Sequence, residues 1–160
     1  MKKIVLSTFV ILTCLAFVNA QEIADNAIGL RIGSNDGFGT EVTDQRALGG
    51  NNRLEVDLGW RSGNNSDGFK LASLYQWVWQ LDGNFNWYAG AGGGLGTYSY
   101  DNNRGDEFNE TFAFIAGNIG IEYGFDFPLL LSLDFRPELS FGDFNDDLDF
   151  DIAIGIRYQF

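Results

Sequence analysis

The sequence has no histidine, one cysteine and two prolines, and its acidic residues outnumber its basic ones 22 to 10. Without histidine there is no imidazole to serve as a general base, and with Cys14 alone there is no intrachain disulfide and no cysteine–histidine zinc site. The net charge of −12 makes nucleic acid a poor partner. Long apolar runs are also missing: nothing beyond the first twenty residues approaches the ~20 residues of a transmembrane helix, and no window keeps a 3.6-residue period. What the chain has in quantity is 21 glycines and a large aromatic set of 15 Phe, 6 Tyr and 4 Trp. No metal or cofactor is expected, and no catalytic residue is assigned. A carboxylate-only mechanism through neighbours such as Asp146 and Asp147 is conceivable, but adjacent loop acids are ordinarily solvated.

Residues 1–20 open on Lys2 and Lys3, continue in an apolar run from Ile4 to Val18, and end Val18-Asn19-Ala20, close to a small-x-small cleavage pattern. They are expected to be a cleaved secretory signal peptide, leaving residues 21–160 as one domain. The run is short for a membrane anchor and no basic stop-transfer cluster follows. Cys14 lies inside the apolar run rather than at its end, which argues against lipidation.

The remainder has one period, and it is two. From Arg53 to Arg61, Leu54, Val56, Leu58 and Trp60 face one way and charged residues with Gly59 the other. In the last segment Phe150, Ile152, Ile154, Ile156, Tyr158 and Phe160 alternate with Asp151, Ala153, Gly155, Arg157 and Gln159. The pattern predicts eight strands: 27–33, 38–45, 52–61, 68–80, 85–98, 111–123, 129–141 and 148–160. The second is the least regular, because Asp44 falls on its apolar face. The connections are rich in Gly, Asn, Asp and Ser, as hairpin turns require.

The polar face carries charges of both signs, among them Arg31, Arg53, Glu55, Asp57, Arg61, Glu122, Asp134, Arg136 and Arg157, with Glu41, Lys70, Glu138 and Asp151. Their alternation in sign along a strand, as in Asp134, Arg136 and Glu138, suits pairing across a narrow lumen. On the other face Tyr75, Trp77 and Trp79 precede the Asp82-Gly83-Asn84 turn, and Phe85 and Trp87 follow it, as an aromatic girdle at a membrane interface would. Gly90, Gly92, Gly94 and Gly96 fall on the inward face, where Phe112 or Phe114 can lie over them. This run is not a nucleotide loop, since Leu95 stands where a third glycine is needed and no helix follows. Arg104-Gly105-Asp106 is an adhesive tripeptide that also arises by chance. The acidic run Asp143, Asp146, Asp147, Asp149 lacks the glycine and distal glutamate of a calcium-binding hand and leaves room only for loose divalent-cation binding.

Together, the export signal, eight alternating segments, girdle and terminal strand resemble the small eight-stranded outer-membrane barrels of the OmpA and OmpX type. The resemblance implies an all-β, closed, antiparallel up-and-down transmembrane barrel in the outer membrane of a Gram-negative-type cell. It implies that Ile156, Tyr158 and Phe160 form the signal read by the outer-membrane assembly machinery, and that periplasmic chaperones, outer-membrane lipid and lipopolysaccharide are the partners. A monomer is expected. Enzymes that share this architecture use a histidine, and none exists here. The expected role is therefore non-enzymatic and structural, with side chains plugging the lumen. The alternatives are a narrow passive pore, or a soluble exported barrel holding an apolar ligand. Pro137, in the middle of the seventh strand, is expected to force a bulge or bend.

Overall fold

A computed structural model of the chain describes residues 24–34, 39–63, 66–101, 107–141 and 148–160. Eight strands run in chain order: β1 (Asn26–Ile32), β2 (Thr40–Gly49), β3 (Asn52–Gly63), β4 (Ser66–Asp82), β5 (Phe85–Asp101), β6 (Glu107–Gly124), β7 (Leu129–Phe141) and β8 (Leu148–Gln159). Each pairs antiparallel with its neighbours, and the sheet closes on itself as β8 meets β1. The seam runs from Ala27↔Gln159 to Ile32↔Ile154. It is extended by reciprocal backbone bonds, Phe160 N to Asn26 O at 2.9 Å and Asn26 N to Phe160 O at 3.2 Å. Closure satisfies the edge groups that an open sheet would leave unpaired.

The turns at the end carrying both termini are tight. Between β4 and β5, Gly83 sits at φ 52°, a conformation that costs a residue with a Cβ but not glycine. Register shifts lie just before two of these turns, between Ala47 and Gly49 and between Gln80 and Asp82. Strands β4, β5 and β6 are longer than their alternation predicts. β6 starts at Glu107, where a polar stretch reads as loop, because its backbone still pairs with β5 out to Asp101↔Glu107.

Pro137 does not produce the expected bulge. The pairs Ala116↔Glu138 and Ile119↔Phe135 keep one register across the gap between β6 and β7, and on the other side Pro137 pairs with Phe150. The missing N–H interrupts pairing without inserting a residue. The ring packs against Gly117 across the strand pair with ordinary room, since even a Cβ there would sit 3.4 Å from Pro137 Cγ. Asp44 on β2 is tolerated on the outer face, where its Oδ2 lies 3.0 Å from Nε of the exposed Arg46.

Candidate functional site

Alternation along each strand sends one set of side chains into the lumen and the other outward. The inward set is strongly charged. Arg31, Arg136 and Arg157 are at most 1% exposed. Arg31 on β1 donates to Asp134 (Nη2 to Oδ1, 2.6 Å), Asp151 (Nη1 to Oδ2, 2.6 Å) and Glu41 (Nη1 to Oε2, 3.0 Å). Arg136 on β7 reaches across the barrel to Asp57 and, at 3.4 Å, to Glu55, both on β3, and also to Glu41 at 3.2 Å. Arg157 on β8 crosses to Glu55 at 3.0 Å and donates to Ser132 at 2.7 Å. The contacts of Arg31 with Asp134, of Arg136 with Asp57, Glu55 and Glu41, and of Arg157 with Glu55 join strands that are not neighbours and so span the lumen, whereas Arg31–Glu41, Arg31–Asp151 and Arg157–Ser132 join adjacent strands along its wall.

Two smaller groups flank this network. Toward the far end Lys70 on β4 pairs with Glu138 at 2.6 Å, its ammonium 4.9 Å from the centre of the Phe114 ring. Toward the termini Arg53 pairs with Glu122 at 2.8 Å, donates to Gln76 at 2.6 Å, and places its guanidinium 4.7 Å from the centre of the Tyr88 ring. Gln76 in turn donates to Asn118 at 3.0 Å. Alternation placed Arg31, Arg53, Glu55, Asp57, Glu122, Asp134, Arg136 and Arg157 on one face, and the structure brings them together with Glu41, Lys70, Glu138 and Asp151. Arg61 belongs to β3, but its side chain lies outside the described residues. The neutral members Gln45, Gln76, Asn118, Tyr88, Thr43 and Ser132 were not singled out from the sequence. They share the inward parity of the charged residues, and that parity was the signal available.

One side of the lumen is filled differently. Ala72, Leu74, Phe114 and Ala116 form a buried apolar cluster, with Phe112 packed against it. The glycines of β5 lie beneath: a Cβ at Gly94 would meet Phe114 Cζ at 2.6 Å and also the Leu71 carbonyl, and one at Gly96 would overlap the Phe112 ring. Among the described residues, no group of three or more His, Cys, Asp or Glu could hold a metal ion.

The outward set is apolar and exposed. Ile152, Ile154 and Ile156 on β8, Leu71 on β4, and Leu133 on β7 all face away from the lumen. Around the β4–β5 turn, Trp79 stacks on its cross-strand partner Trp87 at 4.4 Å, Tyr75 meets Trp77 edge-on at 5.0 Å, and Phe85 lies 4.7 Å from Tyr123. A second aromatic set stands toward the far end: Trp60 opposite Phe69, Phe135 stacked on Phe150 at 5.7 Å, and Phe141. Ile156, Tyr158 and Phe160 project outward, and the Tyr158 and Phe160 rings stack at 6.3 Å. Arg104-Gly105-Asp106 and, in the acidic run, Asp143, Asp146 and Asp147 lie outside the described residues.

No protein-family model matches the chain, and no curated protein matches it in sequence. Solved structures do match in shape. Neisserial surface protein A aligns over 84% of this chain and 94% of its own, with a TM-score of 0.64 and 13% identity. The N-terminal β-barrel domain of Pseudomonas aeruginosa OprF aligns over 86% and 98%, with a TM-score of 0.68 and 12% identity. A de novo designed transmembrane β-barrel aligns over 89% and 100%, with a TM-score of 0.61 and 16% identity. At these identities the likeness is one of fold, and the fold is that of the small eight-stranded outer-membrane barrels of the OmpA and OmpX type.

Proposed function

We propose that the protein is an integral outer-membrane barrel with a non-enzymatic, structural role at the cell surface, its lumen plugged by side chains. The observation that carries this reading is the inversion of polarity: charged side chains are buried inside, while the outer face exposes isoleucine, leucine and aromatic side chains. In water such a surface invites aggregation, whereas in lipid it is the required one. The depth fits as well. From Phe69 to Trp79 along β4, at about 3.3 Å per residue and a tilt of about 40°, the outer face covers roughly 25 Å, the height of the apolar band in such barrels.

In this reading residues 1–20 direct export and are removed, the termini face the periplasm, and Ile156, Tyr158 and Phe160 present the assembly signal. Lipid and lipopolysaccharide surround the barrel, which needs no second copy to close. The ion pairs that cross the lumen support a plug rather than a pore, and an apolar ligand has no continuous apolar interior to enter.

The test is a gel shift on the membrane fraction. The unboiled chain is expected to migrate differently from the boiled one, and deletion of Phe160 to reduce the shifted form. Extraction by carbonate, or recovery from the periplasm, overturns the membrane assignment. Stable unitary currents from the purified barrel in planar bilayers overturn the plug.

A further inference from the structure

Apart from Asp67 and Asp82, near the two ends of β4, the described outward side chains of the strands carry charge only at Asp44 and Arg46 on β2. The register sets their depth. Asp44 pairs with Ile28, whose other partner is Tyr158, and with Val56. Arg46 pairs with Asn26, which meets Phe160 at the seam, and with Leu54, whose other partner is Tyr75. Both charges therefore lie in the aromatic band at the end carrying the termini, the depth at which lipid headgroups rather than acyl chains meet the wall of a membrane barrel.

The pair leaves donors and an acceptor unused. Arg46 Nε donates to Asp44 Oδ2 at 3.0 Å, and the Arg46 side chain is 68% exposed. Among the described residues no other group bonds to either side chain, so both Nη groups and Asp44 Oδ1 are left to the surroundings. A guanidinium held through Nε still offers two parallel Nη donors, which suit two oxygens of a phosphate, and the remaining carboxylate oxygen suits an ammonium. A neutral pair of opposite charges matches a neutral headgroup that carries both signs, whereas an anionic lipid meets Asp44 and a chain of net charge −12. Toward the far end the wall continues as Val42 between Leu30 and Leu58, a surface for acyl chains. Resting on the outer-membrane reading above, we propose that Asp44 and Arg46 form a binding site for one zwitterionic phospholipid, its phosphate accepting from the Arg46 Nη groups and its primary ammonium donating to Asp44.

Native mass spectrometry of the membrane-extracted barrel in detergent micelles tests this, with phosphatidylethanolamine, phosphatidylcholine and phosphatidylglycerol of equal chain length as probes. Phosphatidylethanolamine is expected to be retained about tenfold more tightly than phosphatidylcholine, whose quaternary ammonium has no N–H to donate, the scale of one charge-assisted hydrogen bond. It is also expected to outlast phosphatidylglycerol, which lacks the ammonium. Asp44→Leu removes the preference for phosphatidylethanolamine over phosphatidylcholine and strengthens retention of phosphatidylglycerol. Arg46→Leu weakens all three lipids about tenfold, and Asp67→Asn, near the far end of β4, changes none of them. All three variants keep the heat-modifiable gel shift of a folded barrel. Equal retention of phosphatidylethanolamine and phosphatidylcholine by the parent, or an unchanged preference in Asp44→Leu, overturns the proposal. So does a two-barrel ion that Arg46→Leu abolishes, which makes the pair a contact between copies. These lipid outcomes leave the function proposed above standing, whereas absence of the barrel from the membrane fraction overturns that function and this site together.

Discussion

The wall made by β7, β8 and β1 to β3 fills its side of the lumen with charge, whereas β4 to β6 fill theirs with rings and aliphatic side chains laid over glycine. Among the described inward side chains of β4 to β6, charge stands only at Lys70 and Glu122, near the two ends. Both walls exclude water, but they fail differently. In the charged wall Arg31 and Arg136 each serve three carboxylates, so deleting either strands several buried groups at once. In the apolar wall the constraint is shape, and an added methyl group is as harmful as a lost one.

The sharpest break comes at Arg136. Replacing it with Met leaves Asp57, Glu41 and Glu55 short of a cation, and is expected to cost about 3–5 kcal/mol in urea unfolding of the micelle-bound barrel, or to prevent folding. On the other wall, Gly94→Ala must displace the Leu71 carbonyl and the Phe114 ring, an overpacking cost of about 1–3 kcal/mol by the same assay. The ion pair that touches both walls refines the contrast. Lys70→Met alone deprives Glu138 of this partner, but Lys70→Met with Glu138→Gln removes both charges, and the double variant is expected to fall within about 1 kcal/mol of the parent. Arg46→Ala is the smallest: its pair with Asp44 is exposed on the outer face, and the unfolding midpoint should move by less than the equivalent of about 0.5 kcal/mol.

The faces of these walls were legible in the sequence because a strand's period is exact enough that one residue of alternation fixes a whole side. Trp77, Trp79 and Trp87 share a face for that reason, as do Arg136, Asp134 and Glu138. The placing of Phe112 and Phe114 over Gly94 and Gly96 was legible too, since bulk and its absence fall on the same parity. What alternation does not carry is stagger between strands. That Arg136 meets Asp57, or that Arg31 reaches Asp134, 103 residues away, depends on how far each strand slides past the next and on barrel closure. The Arg53–Glu122 pair depends on closure in the same way, because it joins β3 to β6, which are not neighbours in the sheet. Pro137 misled for another reason: its missing N–H was visible, but that β6 and β7 would drop the pairing there and keep one register on both sides was not.

The seam between β1 and β8 has a consequence for time as well as for stability. It joins Asn26 to Phe160, 134 residues apart, while every other strand pairing is between neighbours in the chain. The local hairpins can form early at small entropic cost, but the last contact must wait for the whole chain to be present. Folding therefore ends at its slowest step, and until that step is complete the strand edges at Asn26–Ile32 and Leu148–Gln159 stay open to any other strand that reaches them first.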